Sequence, residues 1–186
     1  MTRRGIFVGR FQPFHKGHLN AIRTIREQVE DLIIVIGSSQ YSHTVDNPFT
    51  AGERVWMIQE SLQAAGLEAT VIPVPDIHRN SLWVSHVETF VPPFDVAFTN
   101  NPLPARLFRE AGYEVRSFPL VDREAYEATT IRQAMAQGGD WEKYVPDTVV
   151  RIVKEIQGLD RLRDVSGSDA AGDPLTEKPP YDKANN

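Results

Sequence analysis

Short apolar runs alternate along the chain with longer stretches whose apolar positions recur every three or four residues. Residues 5–8 form the first run, a buried parallel strand stopped by Gly9. Leu19, Ile22, Ile25 and Val29 then fall on one face of a helix. The β-branched run 32–36 predicts a second buried strand, closed by Gly37. Thr50 and Glu53 make a capping box for a helix that carries Val55, Ile58, Leu62 and Ala65 on one side and ends at Gly66. Residues 69–74 read as a third strand, and Pro73 asks for an edge or terminal place in the sheet. A short helix with Val84, Val87 and Val91 is broken by Pro92-Pro93, and 95–99 is a fourth strand. Asn101 as cap and Pro102 in the first turn open a helix to about position 111, followed by a strand at 114–118. Thr129 or Thr130 caps the next helix, which stops at Gly138-Gly139. Residues 146–157 form a last amphipathic helix with Gly158 as its terminator.

Strand and helix in alternation predict an α/β fold: a doubly wound, mostly parallel sheet of five to six strands between two layers of helices. At 186 residues one core suffices, so a single domain is expected over 1–163. From Asp164 the composition turns to Ser, Gly, Asp, Pro and Lys, which predicts a disordered tail over 164–186.

Apolar content of 41% and charged content of 24% are those of a globular chain, and no run is long enough to span a membrane. The formal charge of −5 argues against nucleic acid as a partner, because backbone phosphates ask for a basic surface. The absence of cysteine removes any disulfide framework and agrees with a cytoplasmic location.

The densest chemistry lies at 5–18, GIFVGRFQPFHKGH. It places Arg10, His15 and His18 above the carboxyl end of the first strand, at the start of the first helix. Free N–H groups, a helix dipole, a permanent cation and two imidazoles suit that spot to phosphate. Neither a G-x-x-x-x-G-K-[ST] loop nor a G-x-G-x-x-G turn is present, so this is not one of the commoner nucleotide loops. Taken alone, a His-x-x-His pair at a helix start is equally a structural cap or half a zinc site.

The full string G-R-F-Q-P-F-H-x-G-H resembles the signature of the H-x-G-H nucleotidyltransferases, and the longer match looks like their archaeal nicotinamide-nucleotide adenylyltransferases. Further segments carry the resemblance across 5–160: GSSQYSH at 37–43, NPFTAGER at 47–54, PVPDI at 73–77, LWVSHV at 82–87, PPFD at 92–95, NNP at 100–102 and T-x-x-R at 129–132. The resemblance implies a Rossmann-like nucleotidyltransferase fold. It also implies transfer of the adenylyl group of ATP to nicotinamide mononucleotide (NMN), giving NAD and pyrophosphate by direct in-line attack. Other phosphate acceptors, or a module that senses NAD or ATP without turnover, are the competing readings.

By the family pattern His15, His18, Arg10 and Arg132 carry the chemistry, while Gly9, Phe11, Gly17, Thr129 and Asn100 bind ATP or its phosphates. The family motif ahead of the last arginine reads Ser-Gly-Thr or Ser-Ser-Thr. This chain has Glu127-Ala128-Thr129 there, which loses a hydroxyl and adds an acid. For the second substrate the resemblance points to Ser38, Ser39, His43, Asn80 and Trp83, with Trp83 either stacking on the cationic ring or simply packing. Arg54 either reaches phosphate or is a surface charge, and Asn101 either contacts ligand or only caps its helix. No carboxylate cluster has metal-ligand spacing, so no protein-held metal is expected and Mg²⁺ is brought mainly by ATP. A homo-oligomer, a hexamer by resemblance, is the expected assembly.

Overall fold

A computed structural model of the chain describes residues 3–119 and 126–171, with side chains up to position 167. Five strands form one fully parallel sheet in the order β3-β2-β1-β4-β5: β1 Arg4–Gly9, β2 Asp31–Ile36, β3 Thr70–Pro73, β4 Val96–Phe98 and β5 Glu114–Arg116. The first strand therefore lies at the centre, paired with β2 from Arg4↔Asp31 to Gly9↔Ile36 and with β4 from Gly5↔Val96 to Phe7↔Phe98. β3 holds the edge that Pro73 called for, and Pro73 is its last paired residue. The chain winds outward from β1 to β3, then returns to the other side of β1. That reversal places a crevice at the carboxyl ends of the central strands, where open parallel sheets take ligands.

The period of two within each strand sorts the core into two layers. Phe7, Leu32, Ile34, Ile36, Val96 and Phe98 face one cluster, while Ile6, Ile33, Val35 and Ala97 face the other. The first cluster is covered by α1 (Lys16–Arg26), α2 (Ala51–Ala64), α5 (Ala128–Gln137), α6 (Asp147–Glu155) and α7 (Gly158–Ala171). The second is covered by the short α3 (Trp83–Glu88) and by α4 (Pro102–Glu110) through Val84, Val87 and Phe108. Three layers result, as the strand–helix alternation predicts.

Several local signals act as read from the sequence. Thr50 and Glu53 bond reciprocally at the start of α2, Asn101 accepts from the backbone N–H of Leu103, and Gly138 ends α5 with φ +72°. Two expectations are corrected at the carboxyl end. Gly158 does not end the chain's helical part but opens α7, packed so that a Cβ on it would lie 2.9 Å from the Phe49 ring. The helix then continues through 164–171, across residues whose composition predicts a tail. Tertiary contact explains it: buried Leu162 and partly buried Val165 pack on the first cluster. Arg161 grips both carboxylate oxygens of Glu53, at 2.7 and 2.8 Å. The expected disorder of 172–186 lies outside the described residues.

Candidate active site

The histidines are placed by their own side chains. His15 is the N-cap of α1, in extended backbone (φ −134°, ψ 168°), and its Nδ1 accepts the backbone N–H of His18 at 3.3 Å. His18 returns the bond, its Nδ1 accepting the N–H of His15 at 3.2 Å. This is a capping box built from two imidazoles, with the rings stacked 3.5 Å apart. An Nδ1 that accepts carries no hydrogen, so each neutral ring holds its N–H at Nε2. Phe11 and Phe14 pack on His18, at 4.8 and 5.6 Å between ring centroids. Burial pushes His15 down to about 4 and holds His18 well below the usual imidazole range, with the neighbouring His15 acting in the same direction. Both rings are thus neutral Nε2–H donors at neutral pH.

Arg132 joins this loop from far along the chain. It lies in the second turn of α5, because that helix starts at Ala128 rather than at a threonine cap. Glu127 holds the cap position without a side-chain cap bond, and Thr129 is the exposed second residue of the helix. The Arg132 side chain is buried, donating from Nη1 to the Gln12 carbonyl at 3.0 Å, from Nε to the Val45 carbonyl at 3.0 Å and from Nη2 to Asp46 at 3.3 Å. Burial lowers its pKa; Asp46 opposes that shift and Arg10 adds to it. His15 and Arg132 therefore meet at the same loop, on the same side of the sheet.

Beside them a cavity of about 350 Å³ opens at the strand ends, lined by Gly9, Arg10, Ser38, Asn80, Trp83 and Asn101 among others. Two larger hollows, of about 550 and 620 Å³, lie away from the carboxyl ends of the strands and hold none of the expected residues. Trp83 is half-buried, set edge-on to Phe108 at 5.3 Å, so it packs and lines the cavity at once. Asn101 likewise serves as both helix cap and cavity wall.

Other expected residues are occupied elsewhere. The Phe11 ring is 1% exposed and sealed in the core, leaving only its backbone to face a ligand. Asn100 spends its amide on the backbone of Phe118, donating at 2.8 Å and accepting at 3.1 Å. His43 is exposed and bonded to Ser42 at 2.9 Å, while Ser39 donates its backbone N–H to Val74. Gly17 leaves room for a ring: a Cβ there would lie 2.9 Å from Cβ of Tyr126 and 3.1 Å from Nδ1 of His15.

Arg54 is the residue that sequence reasoning left undecided and the fold makes central. It is 0% exposed and donates to the carbonyls of Thr50, Arg10, Gly37, Ser38, Ser39 and Tyr41, at 3.0 to 3.5 Å. It thereby ties the loop after β1 to the loop after β2. Burial pushes it down to about 10, helped by the charge of Arg10 and opposed by Glu53. Gln12, which the sequence reading gave no role, clamps Phe49 through two 2.9 Å bonds and is 2% exposed. A lone amide inside an aromatic run was the signal for it. Among the described residues no group of three or more His, Asp or Glu is placed to hold a metal ion.

A family model described as cytidylyltransferase-like matches residues 6–134. The chain is 53% identical over 172 residues to the nicotinamide-nucleotide adenylyltransferase of Archaeoglobus fulgidus, covering 89% of this chain and 99% of that one. It belongs to the nicotinamide-nucleotide adenylyltransferases. A second relative of that name, from Methanothrix thermoacetophila, is 50% identical over 169 residues, covering 91% of this chain and 99% of its own. Among solved structures, the adenylyltransferase fold recurs in a bifunctional NMN adenylyltransferase/ADP-ribose pyrophosphatase from Francisella tularensis complexed with AMP and a manganese ion. Its TM-score is 0.75 at 24% identity, over 92% of this chain and 54% of that one, so this adenylyltransferase chain spans about half of the bifunctional protein. No helix among the described residues of this family member is long and apolar enough to cross a membrane.

Proposed function

We propose that this chain joins ATP, taken as its Mg²⁺ complex, to nicotinamide mononucleotide, releasing NAD and pyrophosphate. A phosphate oxygen of the mononucleotide forms a bond to the α-phosphorus of ATP as the bond to the β-phosphate oxygen breaks, and the electron pair leaves with pyrophosphate. Such chemistry asks the protein for position and charge rather than for a nucleophile of its own.

The observation that carries this reading is the imidazole pair. With each Nδ1 held by backbone, His15 and His18 present two neutral Nε2–H donors at a helix N-terminus, which suits oxygens of a polyphosphate. Arg10 supplies an exposed cation beside them and Arg132 a buried, hydrogen-bonded one. Gly9 and Phe11 bring backbone N–H groups, and Thr129 a hydroxyl at the start of α5. The mononucleotide takes the cavity, its ring against Trp83 and its carboxamide toward Asn80, with Ser38 beside it. The NAD half-site so formed adjoins the phosphate loop through Gly9 and Arg10, which line both.

The test is direct. Purified protein with MgATP and the mononucleotide is expected to form NAD and pyrophosphate in equal amounts; no NAD under these conditions overturns the reading.

A further inference from the structure

Two of the residues that line the cavity carry charge, Arg10 and Asp76. They come from loops that follow different strands. Arg10 follows β1 and Asp76 follows β3, with β2 between, so the ends of the two strands they follow lie two inter-strand spacings, about 10 Å, apart. Asp76 is held in place rather than left on a free loop. Its backbone is clamped from both sides by the Gln40 amide, which donates to the Asp76 carbonyl at 2.9 Å and accepts its N–H at 2.8 Å. Its Oδ1 accepts the N–H of His78 at 3.1 Å, and the preceding carbonyl, Pro75, is bonded by the His86 ring at 2.8 Å. No cation pairs with Asp76 among the described residues.

We propose that Asp76 is a specificity-determining residue, selecting a pyridinium mononucleotide that bears a neutral carboxamide over one that bears a carboxylate. The inference rests on the reading that the mononucleotide occupies this cavity. A cavity lined by a cation after β1 and, two strands away, by a carboxylate after β3 matches a ligand that carries both a phosphate and a cationic ring. The group on the ring decides the rest. A carboxamide offers N–H donors that a carboxylate accepts, whereas a ring carboxylate would bring like charge against Asp76, which no cation among the described residues pairs. Selection here works by repulsion of the wrong acceptor as much as by attraction of the right one.

The experiment is kcat/KM for nicotinamide mononucleotide and for nicotinate mononucleotide, at saturating MgATP, in the wild-type protein and in Asp76→Asn and Asp76→Ser. Asparagine keeps an Oδ1 acceptor for His78 and removes only the charge; serine is the second variant in case the first misfolds. The wild type is expected to favour the amide at least tenfold, equivalent to about 1.4 kcal/mol. Both variants are expected to cut that preference tenfold, chiefly by improving the acid, with the KM for ATP unmoved. A wild type without preference overturns the proposal, as does an unchanged ratio in both variants. A parallel Trp83→Ala separates the two layers of argument. If it raises the KM for nicotinamide mononucleotide while the Asp76 variants leave the ratio alone, the cavity reading stands and this inference falls. If it leaves that KM unchanged, the cavity is not the mononucleotide site and both fall.

Discussion

His15 and His18 hold each other: each Nδ1 accepts the other's backbone N–H, at 3.3 and 3.2 Å, and their rings stack at 3.5 Å. The pair fixes the tautomer, caps α1 and keeps both charges off at neutral pH. Three roles meet in one three-residue spacing.

Acid should therefore unfold this protein through these residues. Burial lowers both pKa values in the folded state, so below the usual imidazole value of about 6.5 the unfolded chain binds protons that the folded chain refuses. Stability is then fully present above that value and lost as the pH falls toward about 4, at up to roughly 1.4 kcal/mol per pH unit for each histidine. His15→Asn keeps a capping oxygen but cannot titrate. Urea unfolding midpoints measured from pH 7 to pH 5 are expected to fall more steeply in the wild type than in this variant.

His18→Ala removes the donor proposed to face the phosphates together with half of the cap. A drop in kcat on the order of a hundredfold or more is expected, the scale of one lost transition-state donor. Single-turnover NAD formation measures it.

Gly17→Ala is expected to slow the enzyme without unfolding it. Alanine normally favours a helix over glycine by about 1 kcal/mol, so any loss comes from the added Cβ, which would press on Tyr126 and on Nδ1 of His15. A displaced imidazole is expected to lower kcat at least tenfold, up to about a hundredfold for a shift near 1 Å. Comparing kcat with the melting temperature separates the two effects.

Arg54→Met is expected to cost about 2–4 kcal/mol of stability, because it strips hydrogen bonds from several carbonyls around a fully buried guanidinium. Arg54→Lys should recover only part of this, since an ammonium has fewer donors and no planar fork. Denaturant titration of both variants checks it, and a raised KM for ATP is expected alongside as the Arg10 and Gly37 loops part.

Asp46→Asn is expected to tighten ATP binding. Asp46 is more than half exposed and offsets the charge of Arg132, whose place is also secured by the carbonyls of Gln12 and Val45. With that carboxylate neutralised, the KM for ATP should fall roughly two- to fivefold at low ionic strength, and the gain should shrink with added salt. Steady-state kinetics at two salt concentrations decides it.

Much of this was written in local sequence. The run 5–18 carries strand, turn and imidazole pair within reach of one another, because residues three apart at a helix start meet whatever the rest of the chain does. The same locality made the Thr50–Glu53 box and the Asn101 cap legible, and the two periods sorted strands from helices. What the fold alone decided lies in contacts between distant segments. Arg54, in a first turn, reads as either a phosphate contact or a surface charge until the loops after β1 and β2 close over it. Arg132 meets the Gln12 carbonyl across 120 positions. Residues 164–171 look like tail by composition, yet helix forms there as Leu162 and Arg161 dock on the core and on Glu53. Asp76 comes to line a cavity with Arg10 only because parallel pairing brings the ends of β1, β2 and β3 to one edge of the sheet. Sequence spacing fixes what neighbours along a helix or strand can do; which loops share that edge is set by the order of the strands.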